Sequence, residues 1–233
     1  MIHFTLLRVP VHIHFSFWVA VLAWGAAITT CEPHPVNVLF FALAVFVCLL
    51  VHEIGHALVG RRYMQGEEVG LCFSWLGGAC CSESEPSWSL RQGICVTLAG
   101  PIAGLLVAAA VWGGLCVAAQ SVQGGSVYAL HMLKGEIPPE LDGACPVLIL
   151  YFTAYLLQVS TWWGCLNLLP IYPLDGGVVM HDLMDGTHVA HSISLATTCL
   201  LAVAFMAVGV WAVAALMIFL SYYNYRCILA HTE

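Results

Sequence analysis

Apolar positions along this chain fall in long uninterrupted blocks separated by short polar breaks, not in a helical or strand alternation. A helix crosses a bilayer with about 20 such residues, so the blocks predict spans. The first covers 15–30 and is broken by Glu32-Pro33-His34-Pro35. The second covers 36–60 and ends at Arg61-Arg62. The third covers 93–119, with Gly100-Pro101 early in it. Ala99, Gly100, Ala103 and Gly104 form a small-residue stretch there that lets a neighbouring helix come close. The fourth covers 145–169. The last stretch, 189–229, is too long for one crossing at about 1.5 Å per residue. Gly209 is its natural break, giving 189–208 and 210–229 as a tight hairpin.

The segments between the blocks read differently. Val9, Val11, Ile13 and Phe15 alternate with Pro10, His12 and His14, which is strand-like and interfacial. Residues 63–92 are too polar to span and are punctuated by Gly66, Gly70 and Gly77-Gly78. They predict a re-entrant β-hairpin at the membrane face, in which Val69, Leu71 and Phe73 alternate with Gly70, Cys72 and Ser74. Residues 120–143, with Lys134, Glu136, Pro138-Pro139, Glu140 and Asp142, read as an external loop, and 170–185 as a turn-rich return. The expected fold is an all-α polytopic membrane protein of about six transmembrane helices with a short re-entrant β-hairpin, forming one domain over 1–233 without internal repeats.

Composition narrows the function. The chain is 61% apolar and 8% charged, where soluble domains carry about 25% charged residues. That excludes a soluble globular enzyme and a disordered chain. Six Lys+Arg against 13 Asp+Glu leave no basic surface for nucleic acid. Arg8 precedes an apolar stretch, but no A-x-A cleavage site follows, so the first block reads as a retained span. With both chain ends cytoplasmic, Arg8, Arg61, Arg62, Arg91 and Arg226 lie inside and Lys134 outside, as the positive-inside rule prefers. The cysteines within apolar runs (Cys48, Cys95, Cys116, Cys165, Cys199) read as small buried hydrophobes, and a Cys31–Cys145 bond is open.

Ionisable groups inside spans are expensive and mark function. The second block holds three together, in His52-Glu53-Ile54-Gly55-His56. Positions i and i+4 share a helix face, so both imidazoles reach one metal with the glutamate beside it. Arg61 marks the cytoplasmic edge, which puts His56 about 7–8 Å inside the membrane and His52 about 13–14 Å inside. A catalytic zinc site needs a third protein ligand. Asp175 stands out, after Pro170 and Pro173 and before Gly176-Gly177, where no regular helix runs and a sharp turn is permitted.

These motifs resemble those of the site-2 protease family of intramembrane zinc metalloproteases. His-Glu-Ile-Gly-His at 52–56 is similar to the family's zinc helix, and Asn167-Leu-Leu-Pro170 with Pro173-Leu-Asp-Gly-Gly177 to its second signature. Leu98-Ala-Gly-Pro101 resembles its small-residue stretch. The resemblance implies one zinc ion per chain held by His52, His56 and Asp175, with Glu53 as general base and Asn167 at the substrate carbonyl. It implies a transmembrane protein as substrate, in the lipid bilayer, cut by regulated intramembrane proteolysis. Val178 stands where many members have arginine, and 233 residues leave no room for a PDZ-like or CBS-like domain. Glu67, Glu68 and Ser74 are entrance candidates for water, and 69–81 a candidate strand edge for an unwound substrate. A metal transporter or sensor using the same His/His/Asp site is the alternative, although transport has no need of a base between two ligands.

Overall fold

The computed structural model describes residues 1–28, 35–64, 69–75, 77–82, 88–141, 143 and 146–230. Its helices are α1 (Phe15–Ile28), α2 (Pro35–Tyr63), α3 (Leu90–Ala118), α4 (Val122–Leu133), α5 (Val147–Asn167), α6 (Asp175–Leu183), α7 (His188–Ala207) and α8 (Trp211–Ala230). Its strands are β1 (Ile2–Leu6), β2 (Val9–Ile13), β3 (Val69–Ser74) and β4 (Gly77–Ser82).

Among the described residues, five helices are long and apolar enough to cross a membrane: α2, α3, α5, α7 and α8. In hydrocarbon a backbone must satisfy its own hydrogen bonds, which is why these blocks become helices despite their β-branched and aromatic content. The expected first span is described as the 14-residue α1, about 21 Å long at 1.5 Å per residue, against a hydrocarbon core of about 30 Å. Its Phe17 and Val21 turn inward onto the sheet and α2. Gly209, at φ +78°, makes the turn between α7 and α8.

The segment read as an external loop contains α4. Ser121 caps it, its Oγ accepting from Gly124 N at 2.9 Å. Ala129 and Met132 are buried in a cluster with Ala108, Leu115, Leu150 and Leu157 of α3 and α5. Tertiary burial overrides the poor helix propensity of Gly124-Gly125.

The predicted hairpin is half of a larger sheet. Strand order is β1-β2-β3-β4. β1 pairs antiparallel with β2, β2 parallel with β3, and β3 antiparallel with β4. Val9, Val11, Ile13, Val69, Leu71 and Phe73 form one apolar face, packed on Phe17 of α1 and on Phe41, Val45, Leu49 and Ala57 of α2. The alternating strand β3 is therefore interior, and β1 and β4 are the edges.

α2, α3 and α5 pack on one another, with α4 filling the end between α3 and α5. α7 packs on α8 and on α6, and α6 packs on α3. Of the cysteines expected inside, only Cys48 is buried; Cys95, Cys165 and Cys199 lie on the outside of the bundle, where lipid serves as the apolar medium. Cys31, Cys145, Glu67 and Glu68 lie outside the described residues.

Candidate metal centre

α2 carries His52 and His56 one turn apart, and regular helix geometry turns both rings to the same side. They are 4% and 9% exposed. Their Nε2 atoms are 3.1 Å apart. His56 Nδ1 is 2.8 Å from the Val96 carbonyl of α3, to which it donates. That bond fixes the tautomer and leaves the Nε2 lone pair facing His52.

α3 comes close because its facing residues are small. A Cβ on Gly55 would lie 2.5 Å from the Ala99 carbonyl, and one on Gly100 would lie 2.2 Å from His56 Nε2. The bare Gly100 leaves the space that His56 occupies.

Asp175 arrives from another part of the chain. It is the first residue of α6, after the irregular stretch 168–174. Its Oδ2 is 3.1 Å from His52 Nε2 and its Oδ1 is 3.4 Å from His56 Nε2. The turn into α6 is so tight that a Cβ on Gly176 would lie 2.4 Å from the Leu168 carbonyl oxygen, and one on Gly177 would lie 2.1 Å from the Ile171 carbonyl carbon. One ligand atom from each of His52, His56 and Asp175 can be chosen so that all lie within 4.8 Å of one another.

This donor set fits a metal ion. Two imidazole nitrogens point at each other, and Asp175 Oδ2 is buried without a hydrogen bond of acceptable geometry among the described residues. An unsatisfied buried carboxylate oxygen costs about 1–3 kcal/mol or more, and a divalent cation between the three groups removes that cost. Two nitrogens and a carboxylate oxygen are a zinc-type set with room for a further ligand.

Glu53 lies beside the cluster, 7% exposed. β4 runs directly past it: a Cβ on Gly78 would lie 2.8 Å from Glu53 Oε1. Asn167, at the end of α5, lines the same space, and its Nδ2 donates to the Trp163 carbonyl at 2.9 Å. The cavity holds about 500 Å³. It is lined by His52, Glu53, His56 and Asp175, by Gly78 to Cys81 of β4, and by Trp163 and Asn167.

All five expected site residues thus meet in one cavity. Ser74 does not line it, being paired with Gly77 at the β3–β4 turn. Gly78, the Val96 carbonyl and Trp163 were not foreseen. Gly78 left a clue: the turn's left-handed residue is Gly77, at φ +117°, and Gly78 has no such demand. A second glycine beyond the turn's own need signals close approach.

The model of peptidase family M50 matches residues 40–212. Rip3 of Mycobacterium tuberculosis, whose name describes a zinc metalloprotease, is 25% identical over 147 residues, 63% of this chain and 31% of Rip3. The protein sll0528 of Synechocystis sp., also named for a zinc metalloprotease, is 26% identical over 146 residues, again 63% of this chain and 31% of that one. The matched stretch spans about a third of the length of these relatives (31%). The solved structure of the site-2 protease from Methanocaldococcus jannaschii shares the fold, with a TM-score of 0.54 at 18% identity, over 100% of this chain and 95% of that chain.

Proposed function

The chain belongs to peptidase family M50, and on that premise we propose that it is an intramembrane zinc endopeptidase acting on transmembrane protein substrates. The observation that carries the reading is the convergence of His52, His56 and Asp175 beside Glu53, in a cavity bordered by a strand edge. His52 and His56, through Nε2, and Asp175, through a carboxylate oxygen, would hold one zinc ion.

Zinc, when bound, supplies Lewis acidity, lowering the pKa of water toward about 7 and polarising a carbonyl. The chain's own residues do the rest. Glu53 takes the proton of the attacking water and passes it to the leaving amine. Asn167, held from α5, meets the carbonyl oxygen of the scissile bond and stabilises the charge that develops there. His56, bonded to Val96, keeps its ring orientation throughout.

A substrate helix hides its peptide bonds within itself and must unwind before cleavage, and its freed backbone groups then need partners. β4 offers them by strand addition, since it is an edge strand whose residues Gly78 to Cys81 line the cavity, and Gly78 allows the backbone to lie against Glu53. The orientation follows the basic residues. Arg61 Nη1 donates to the Leu7 carbonyl at 2.9 Å, beside Arg8, so these charges share one end of the bundle with Arg62. That end faces the cytoplasm, both chain ends lie there, and the 233 residues act as one catalytic unit.

Glu53→Gln is the test. The variant is expected to keep one zinc per chain and to lose cleavage of single-span model substrates in proteoliposomes by 100-fold or more, on the order of a general base's contribution. Full cleavage at confirmed zinc content would remove Glu53 as the base.

A further inference from the structure

Apolar packing alone suffices to join two helices in lipid, yet the α7–α8 contact also buries polar side chains. Ser194, Thr198 and Asn224 are fully buried there and His191 is nearly so. Such groups in a span are expensive and are kept where they do something. Thr198 and Ser221 bond each other across the helices at 2.8 Å. Of the remaining three, Ser194 and Asn224 reach out of the hairpin to the backbone of one residue, Tyr172, three positions before Asp175, and His191 bonds Asn224.

The Tyr172 N–H donates to Ser194 Oγ at 3.0 Å. Asn224 Nδ2 donates to the Tyr172 carbonyl at 2.7 Å and to the Leu220 carbonyl at 2.9 Å. Asn224 Oδ1 accepts from His191 Nδ1 at 3.0 Å, which orients the amide so that its hydrogens face the loop. The Tyr172 ring lies edge-on to His191 and stacks on Tyr223. From the opposite side α6 closes in: a Cβ on Gly177 would lie 2.1 Å from Tyr172 N. Ile171 is fully buried among Ala202, Met217 and Leu220. Both backbone polar groups of Tyr172 are thus taken by side chains of α7 and α8, in a stretch where Pro170 and Pro173 contribute no N–H of their own.

We infer that Asn224 and Ser194 are positioning residues of the metal centre: by gripping the Tyr172 backbone they set where Asp175 meets the two imidazoles. The inference rests on the reading of Asp175 as a zinc ligand. Neither residue touches the ion. A metal site tolerates little displacement of a ligand, so groups that orient a ligand tune affinity.

The test uses the full chain in detergent, with Zn²⁺ affinity measured by chelator competition alongside kcat and KM. Asn224→Ala and Ser194→Ala are expected to weaken Zn²⁺ binding about tenfold, the lower end for groups that orient a ligand, and to lower kcat at unchanged KM. Asn224→Asp keeps an acceptor for His191 but has no amide hydrogen for Tyr172, and is expected to behave like Asn224→Ala. Ser221→Ala breaks the equally buried bond to Thr198 and is expected to leave Zn²⁺ affinity unchanged, whatever it does to thermal stability. Unchanged affinity in the Asn224 and Ser194 variants overturns the inference. So does an equal loss in Ser221→Ala, which would make the effect one of general packing. If Asn224→Ala does not fold, Ser194→Ala decides. Asp175→Ala separates the two levels: unaltered Zn²⁺ binding there defeats the ligand assignment, whereas loss there with none in the Asn224 and Ser194 variants defeats the positioning role alone.

Discussion

The imidazole pair and the carboxylate reach the same point by different routes. His52 and His56 sit on a 29-residue helix, and their mutual geometry is that of one helical turn. What they need from the rest of the protein is space, provided by Gly55 and Gly100 where α3 crosses, and one carbonyl from Val96. Asp175 follows an irregular stretch whose shape no local regularity dictates. It needs close backbone approach at Gly176 and Gly177, and the stretch before it is held at Tyr172 by side chains from helices later in the chain, Ser194 and Asn224. A ligand on a helix is placed by its own element, and a ligand on a loop by its neighbours.

Substitutions that fill these spaces test the contrast, and the largest effect is expected on the loop side. Gly177→Ala sets a methyl group against the Ile171–Tyr172 peptide, where only backbone can yield. It is expected to lower Zn²⁺ affinity and turnover by 100-fold or more, as a shift of about 1 Å at a reacting centre does, read by chelator competition and by cleavage of a model substrate. Gly100→Ala comes next. Its methyl meets the ring of His56, a side chain that can swing aside. Zn²⁺ affinity should fall about 10- to 100-fold while resistance to protease shows the helices still packed. Equal effects from both substitutions would erase the distinction between the two routes. Gly78→Ala should have the smallest effect. It presses on Glu53 and not on the ligands, so zinc content should be unchanged and kcat should drop about tenfold, part of the general base's contribution. Loss of zinc in that variant would mean that β4 supports the metal itself.

The same contrast explains how much the sequence disclosed. The two histidines and the glutamate are legible because their spacing is a helical one, inside a block that must be helical. Asp175 is legible because prolines and glycines bracket it. The alternation of Val69, Leu71 and Phe73 predicts β3, and its buried face is as expected. Periodicity carries no information about partners, however. The parallel pairing of β2 with β3 joins residues 11–13 to 71–73 and moves the exposed edge to β4. The bond from Asn224 to Tyr172 crosses 52 positions. Ser194, Thr198 and Asn224 interrupt an apolar run in 189–229, and nothing in the pattern names their target. α4 was missed because its glycines argue against a helix that only burial against α3 and α5 makes favourable.

α7 and α8 meet the other helices largely through α6 and the stretch that leads into it. A cation held by Asp175 would therefore be tied, at one remove, to that pair. Coupling of this kind is reciprocal: if docking of the hairpin tightens the hold on the ion, the ion strengthens the docking by the same free energy. The metal would then act as a fastener between two parts of a membrane domain as well as a reagent, and a chelator would loosen the far helices in the act of silencing the catalyst.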